Sequence, residues 1–105
     1  MLTIDEFKEI IEGHSVQCEF SHFKEQIKPP FMLWGGPFKE NFYADGIVYF
    51  SNDYYEVELY TRVDIHTEEK ALENYFKQKK LNWKKDDQEW LDEYKLYVTT
   101  YTIYV

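Results

Sequence analysis

The chain has 105 residues, room for one domain with one core, and 44% hydrophobic with 20% aromatic content excludes a disordered chain. Twenty acidic against twelve basic residues leave a formal charge of −8, which excludes a chain that grips nucleic-acid phosphates. A single cysteine excludes an internal disulfide and fits a reducing cytoplasm. No run approaches the roughly twenty apolar residues of a membrane span, and none marks a signal peptide, so a soluble, intracellular chain is expected.

The first predicted element is a helix. Thr3 and Glu6 form a T-x-x-E capping box, with Leu2 and Phe7 at the staple positions. Ile4, Phe7, Ile10 and Ile11 share one face, opposite Asp5, Lys8, Glu9 and Glu12. That polar face is acidic, which favours packing on a sheet over lying on a membrane. Gly13 is expected to close the helix in a left-handed conformation.

Ser15 to Phe23 alternates as a strand, with Val16, Cys18, Phe20 and His22 on one side. His14, Cys18 and His22 raise the question of zinc. Three or four converging ligands are needed and only His66 remains elsewhere, so no metal is expected. Cys18 reads as a small buried hydrophobe, not a nucleophile, because no base with its own orienting partner stands near it. Pro29-Pro30 forces an extended entry into Phe31-Met32-Leu33-Trp34, a short interior strand. Gly35-Gly36-Pro37 is expected to end it, and Pro37 to Glu40 to form a loop. The Gly-Gly pair lacks the Lys-Ser/Thr and following helix of a phosphate cradle.

Asn41 to Val63 then reads as a three-stranded meander. Asp45-Gly46 predicts a type I′ turn, and Ser51-Asn52-Asp53 a second turn. Tyr55, Val57, Leu59, Thr61 and Val63 alternate with Tyr54, Glu56, Glu58, Tyr60 and Arg62, giving one buried and one wet face. Asp64 to Thr67 connects to a second helix opened by Glu68-Glu69, with Ala71, Leu72, Tyr75 and Phe76 as its buried stripe. Lys77, Lys79 and Lys80 are placed in its last turn, where the helix dipole favours cations and no partner is required.

Leu81 to Lys85 predicts a strand, Asp86 to Asp92 an acidic turn, and Glu93 to Val105 a long final strand. That last run is β-branched and aromatic on both faces, so a neighbouring strand or another subunit must cover it. The acidic pairs Asp86-Asp87, Asp92-Glu93 and Glu56/Glu58 read as solvated faces. No nucleophile, base and oxyanion set assembles, and neither enzyme activity, cofactor nor small-molecule substrate is expected. The fold expected is α+β over residues 1–105 as a single domain. It has an antiparallel sheet, made of the meander and the C-terminal strands, with two helices packed on one face.

Several blocks in fixed order also carry a family resemblance. They are His22-Phe23, Pro29-Pro30-Phe31, Asn41-Phe42-Tyr43-Ala44-Asp45-Gly46 and Val57-Glu58-Leu59-Tyr60-Thr61, then an acidic helix and a closing aromatic strand. From about Val16 to the end, the chain resembles small tail-completion or tail-terminator proteins. These are encoded among the head–tail joining genes of siphophages and prophages of Gram-positive bacteria. Cys18-Glu19 departs from the Pro/Ala/Tyr-type run of that pattern.

The resemblance implies a structural subunit of a homo-oligomeric ring, a hexamer favoured. That ring caps the tail tube or joins it to the head connector, in the virion, after assembly in the host cytoplasm. DNA would pass its negative lumen without specific binding. The alternative is an acidic prophage-encoded inhibitor that mimics DNA and occupies a host protein's basic groove. For the ring, the long loop expected between Phe23 and Asn41 points to subunit contacts that use Phe31 to Phe42 and one edge of the sheet. The anchor residues would be Phe31, Trp34, Phe42, Tyr43, Tyr60, Tyr101 and Tyr104.

Overall fold

A computed structural model of the chain describes residues 2–14, 16–20, 28–62 and 65–104. The elements in order are α1 (Ile4–Glu12), β1 (Gln17–Phe20), β2 (Phe31–Ala44), β3 (Ile47–Thr61), α2 (Ile65–Gln78), β4 (Asn82–Leu91) and β5 (Leu96–Tyr104). The expectations for His22, Phe23 and Val63 fall outside the described residues. No helix among the described residues is long and apolar enough to cross a membrane.

The strands form one sheet in the order β1-β2-β3-β5-β4, with α1 and α2 on a single face, an α+β fold. It is mostly antiparallel, with one departure: β1 runs parallel to β2, from Gln17 opposite Phe31 to Phe20 opposite Trp34. β5, the strand apolar on both faces, lies inside the sheet between β3 and β4. Neighbouring strands of the same chain therefore satisfy both of its edges.

The alternation predicted for β3 sets the layers. Tyr55, Val57 and Leu59 are buried against the helices, while Tyr54, Glu56, Glu58 and Tyr60 face the other way. Across the ladder Val57 stands opposite both Trp34 and Tyr101, and Tyr55 opposite Ile103. Phe7 of α1 stacks on Tyr55 at 4.2 Å between centroids and meets Trp34 edge-on at 5.3 Å. Phe76 of α2 packs edge-on to Tyr101 at 5.4 Å. Burying each such ring contributes about 1.5–3 kcal/mol.

The capping box of α1 forms as the sequence predicts: Glu6 N–H donates to Thr3 Oγ1, and Thr3 N–H donates to Glu6 Oε1, each at 3.2 Å. Gly13 departs from expectation, with φ at −73° in the right-handed region. Its glycine serves close approach instead, because a Cβ there would come within 2.7 Å of the Tyr75 hydroxyl. That hydroxyl donates to the Ile10 carbonyl and ties α2 to α1. α2 begins at Ile65, ahead of Glu68, and Ala71 is exposed while Leu72 and Phe76 are buried.

Three predicted breaks are instead strand. Ser51, Asn52 and Asp53 pair with Asn41, Glu40 and Lys39, and Ser51 Oγ donates to Asn41 Oδ1 at 2.6 Å. Pairing with β2 holds these three residues extended, so they do not turn the chain. Gly35-Gly36-Pro37 lies within β2 as a bulge, with a register shift between Gly35 and Phe38. Gly36 has φ at +125°, and Pro37 sits where the ladder needs no N–H. Within the expected long loop, Phe31 to Asn41 is thereby part of the strand β2, while residues 23–27 lie outside the described residues. Asp86 to Leu91 is the outer strand β4, bulged between Lys85 and Asp87, and the turn falls at Asp92 to Lys95. There Lys95 takes φ at 55° and its ammonium holds Asp92 at 2.8 Å.

Of the turns expected in the meander, the one at Asp45-Gly46 is present, with φ at 53° and 77°. A single long hairpin thus replaces the three-stranded meander. Facing predicts opposite outcomes for neighbouring substitutions in β3. Leu59→Asp strands a carboxylate in the core and abolishes soluble expression, while Glu58→Gln keeps an acceptor for Tyr60 and shifts the urea midpoint by less than about 0.5 kcal/mol equivalent. Similar midpoints for the two variants would contradict the assignment of the faces.

Candidate functional site

Two surfaces remain once the core is filled. The first is the far half of the β2–β3 hairpin. β5 pairs with β3 only from Tyr54 to Thr61, and β1 with β2 only from Phe31 to Trp34. Beyond those points Lys39–Ala44 and Ile47–Asp53 pair only with each other among the described residues. They form a two-stranded arm on a molecule whose extents are 46 × 28 × 27 Å. At its tip Tyr43 is 66% and Ile47 70% exposed, and Phe38 stands exposed near its root. A two-stranded ribbon with apolar tip residues gains little from its own fold.

The second surface is the sheet face without helices. In β3 it carries Tyr54, Glu56, Glu58 and Tyr60, and in β5 their partners Tyr104, Thr102, Thr100 and Val98. β4 adds Lys84, Asp86, Asp87 and Glu89 beside them. Tyr60 stacks on Phe31 at 4.7 Å and donates to Glu58 Oε2 at 2.6 Å. Burial and that bond hold the Tyr60 hydroxyl far above its usual range. The Asp86 carboxylate accepts from Thr102 Oγ1 and faces Lys84 Nζ at 3.3 Å.

Burial, followed by the charges of Glu58 and Asp86, holds the Glu56 carboxyl above the ordinary glutamate value. Among the described residues no cation pairs with Glu56 or Glu58. Beside them the Gly35-Gly36-Pro37 bulge opens a notch of about 410 Å³, walled by Leu33, Trp34 and Phe38 with Glu56 and Glu58.

The expected anchors separate into these surfaces and the core. Phe31 and Tyr60 meet on the helix-free face, and Tyr104 lines a groove there with Tyr54 and Glu56. Phe42 and Tyr43 belong to the arm, opposite Phe50 and Val48. Trp34, 3% exposed, and Tyr101, wholly buried, are core residues whose rings pack within the chain and are not presented at its surface. Tyr101 stands under Trp83 and Phe76 and donates to Glu73 Oε2 at 2.8 Å. Ile47 was legible only as part of a core-like run. The signal for it is its place directly after the Asp-Gly turn, where an unsupported hairpin exposes both flanks.

A bonded polar cluster lies under α2. Lys85 bridges Glu69 at 2.8 Å and Glu73 at 2.7 Å, and Gln88 donates to Glu69 and to the buried Thr99 hydroxyl. Cys18 is half-buried, and burial with the charges of Glu12 and Glu19 pushes its thiol up to about 11, so it stays protonated at neutral pH. Among the described residues no group of three or more His, Cys, Asp or Glu side chains is placed to hold a metal ion. No protein-family model matches the chain, and no curated protein matches it.

The raised Glu56 carboxyl has a signed consequence for stability. The folded state binds that proton more tightly than the unfolded state, so this group lowers stability as pH rises through its folded value. Glu56→Gln therefore raises the melting temperature at pH 7, by no more than about 1 kcal/mol equivalent given its exposure. The gain shrinks as pH falls toward the ordinary glutamate range. Thermal melts between pH 4 and 8 check this, and a Gln variant less stable at pH 7 would contradict it.

Proposed function

We propose that the chain is a structural subunit of a phage or prophage particle. In this reading it is a non-enzymatic ring component that completes or terminates the tail tube and joins it to the head connector. The observation that carries the reading is the arm. A ribbon with Tyr43 and Ile47 exposed at its tip suits a protein whose partner surface is another subunit. The resemblance supports the same assignment from sequence. Of its two distinctive blocks, Asn41 to Gly46 forms the distal β2 strand and the turn of the arm, and Glu58 to Thr61 lies in the core half of β3. A ring also supplies each subunit with neighbours for surfaces that one copy leaves open.

The acidic helix-free face suits a lumen that DNA traverses, because fixed carboxylates repel phosphates and prevent sticking. The same face favours a second reading, an inhibitor that mimics DNA and fills a basic groove of a host protein. The two differ in what the arm does. A ring subunit needs its tip for assembly, whereas a mimic works through its carboxylates.

A particle lacking this gene is predicted to yield filled heads and separate tails, with tails of uncontrolled length if the protein is a terminator. Electron microscopy and infectious titre read the outcome. Tyr43→Ser with Ile47→Ser is predicted to leave the subunit folded and to reproduce the defect, each truncation removing about 1–2 kcal/mol of contact. Normal, joined, infectious particles from the deletion would overturn the structural reading in favour of the inhibitor.

A further inference from the structure

The helix-free face gathers Glu56, Glu58, Asp86, Asp87 and Glu89, with Lys84 among them. On the helix-bearing side, Lys77, Lys79 and Lys80 cluster at the end of α2 and are all exposed. The helix dipole accounts for Lys77, which lies in the last turn. Lys79 and Lys80 lie past the helix end, where Lys80 turns the chain with φ at 58°. Neither forms an ion pair among the described residues, and Lys79 merely overlies the Tyr75 ring at 5.6 Å.

We infer that the helix-free sheet face of one copy receives the Lys79-Lys80 turn of the next copy, with a lysine seated in the notch between Phe38 and the Glu56/Glu58 pair. The notch has the parts such a guest needs. Leu33 and Phe38 offer apolar wall for a lysine stem, and two carboxylates at the mouth receive the ammonium. A cation there relieves the mutual repulsion that Glu56 feels from Glu58 and Asp86. Tyr60, next along the same face of β3, donates to Glu58, so one of the two carboxylates is already oriented.

Donor and acceptor surfaces lie on opposite sides of one subunit, so the contact is heterologous. Repeated about an axis, a heterologous contact closes a ring or propagates a filament. This inference rests on the ring reading and gives it a second contact, separate from the arm. It also gives the acidic face an occupant other than a nucleic-acid-binding host protein.

The test uses purified chain, half of it isotopically labelled, at high concentration with a zero-length carbodiimide that couples carboxylates to amines in contact. Links between labelled and unlabelled copies are expected from Lys79 or Lys80 to Glu56 or Glu58. Sedimentation should then show association weakened at least about tenfold by Lys79→Glu/Lys80→Glu, the scale of losing close opposite charges at an interface. Glu56→Lys/Glu58→Lys should act alike, and combining all four reversals should restore association. Glu56→Gln/Glu58→Gln, which preserves the fold most closely, should weaken it in the same direction.

Absence of mixed-label links at these residues overturns the inference, as does failure of the fourfold swap to rescue while circular dichroism shows it folded. Association through links confined to the arm overturns this contact and leaves the ring reading standing. Normal particles from the gene deletion would overturn the ring reading without touching the contact.

Discussion

Everything in this fold depends on β3 being paired on both sides over only half its length. From Tyr54 to Thr61 it lies between β2 and β5, and there its alternation builds the core. Val57 and Leu59 have strand neighbours on both sides, and Tyr55 has β5 beside it and the Phe7 ring stacked on its face. From Ile47 to Asp53 the same strand has only β2 beside it among the described residues. One continuous strand is therefore a core element at one end and an arm at the other. The bulge at Gly35-Gly36-Pro37 falls in β2 near this transition, where Phe38 resumes pairing with Tyr54. A bulge increases local twist and re-aims the strand beyond it.

The two faces of the sheet are energetically unlike. The helix side is closed by aromatic contacts and by the Lys85 bridge to Glu69 and Glu73, which leaves the buried carboxylate neutralised and bonded. The other side keeps carboxylates close together with few cations among them. That arrangement costs the isolated subunit some stability, and it is retained on a face that also holds stacked Phe31 and Tyr60. Charge repulsion on an open face is consistent with a surface meant to meet something else, whether a cationic neighbour or a passing polyanion to be kept at a distance. The outer strand β4 carries Lys84, Lys85, Asp86 and Asp87 around its own bulge, a composition that discourages edge-to-edge pairing there.

Much of this was legible in the chain because its signals are local and uncontested. The capping box at Thr3 and Glu6, the Asp45-Gly46 turn, the alternation from Tyr54 to Thr61 and the stripe of Leu72 and Phe76 each follow from periodicity or turn chemistry. The misreadings share one cause. Ser51 to Asp53, Gly35 to Pro37 and Asp86 to Asp92 are turn-like in composition, yet a partner strand satisfies their polar groups or a bulge absorbs the extra residue. Tertiary pairing overrides local preference at such sites, and no single-strand pattern reveals it. Trp34 and Tyr101 have the chemistry of anchors, but both rings lie on the face that the helices cover. Which side an aromatic takes in a two-sided strand depends on register, which one sequence does not disclose. Phe31 and Tyr43 escaped that ambiguity, one by stacking on the open face and the other by lying beyond the core.

The central claim is that β3 changes from core strand to unsupported arm near Tyr54, and native-state hydrogen exchange tests it residue by residue. In the isolated subunit, amides from Tyr55 to Thr61 should exchange only through global unfolding, while those from Ile47 to Asp53 should exchange through local opening at far lower cost. Uniform protection along the whole of β3 in the isolated subunit would contradict the account.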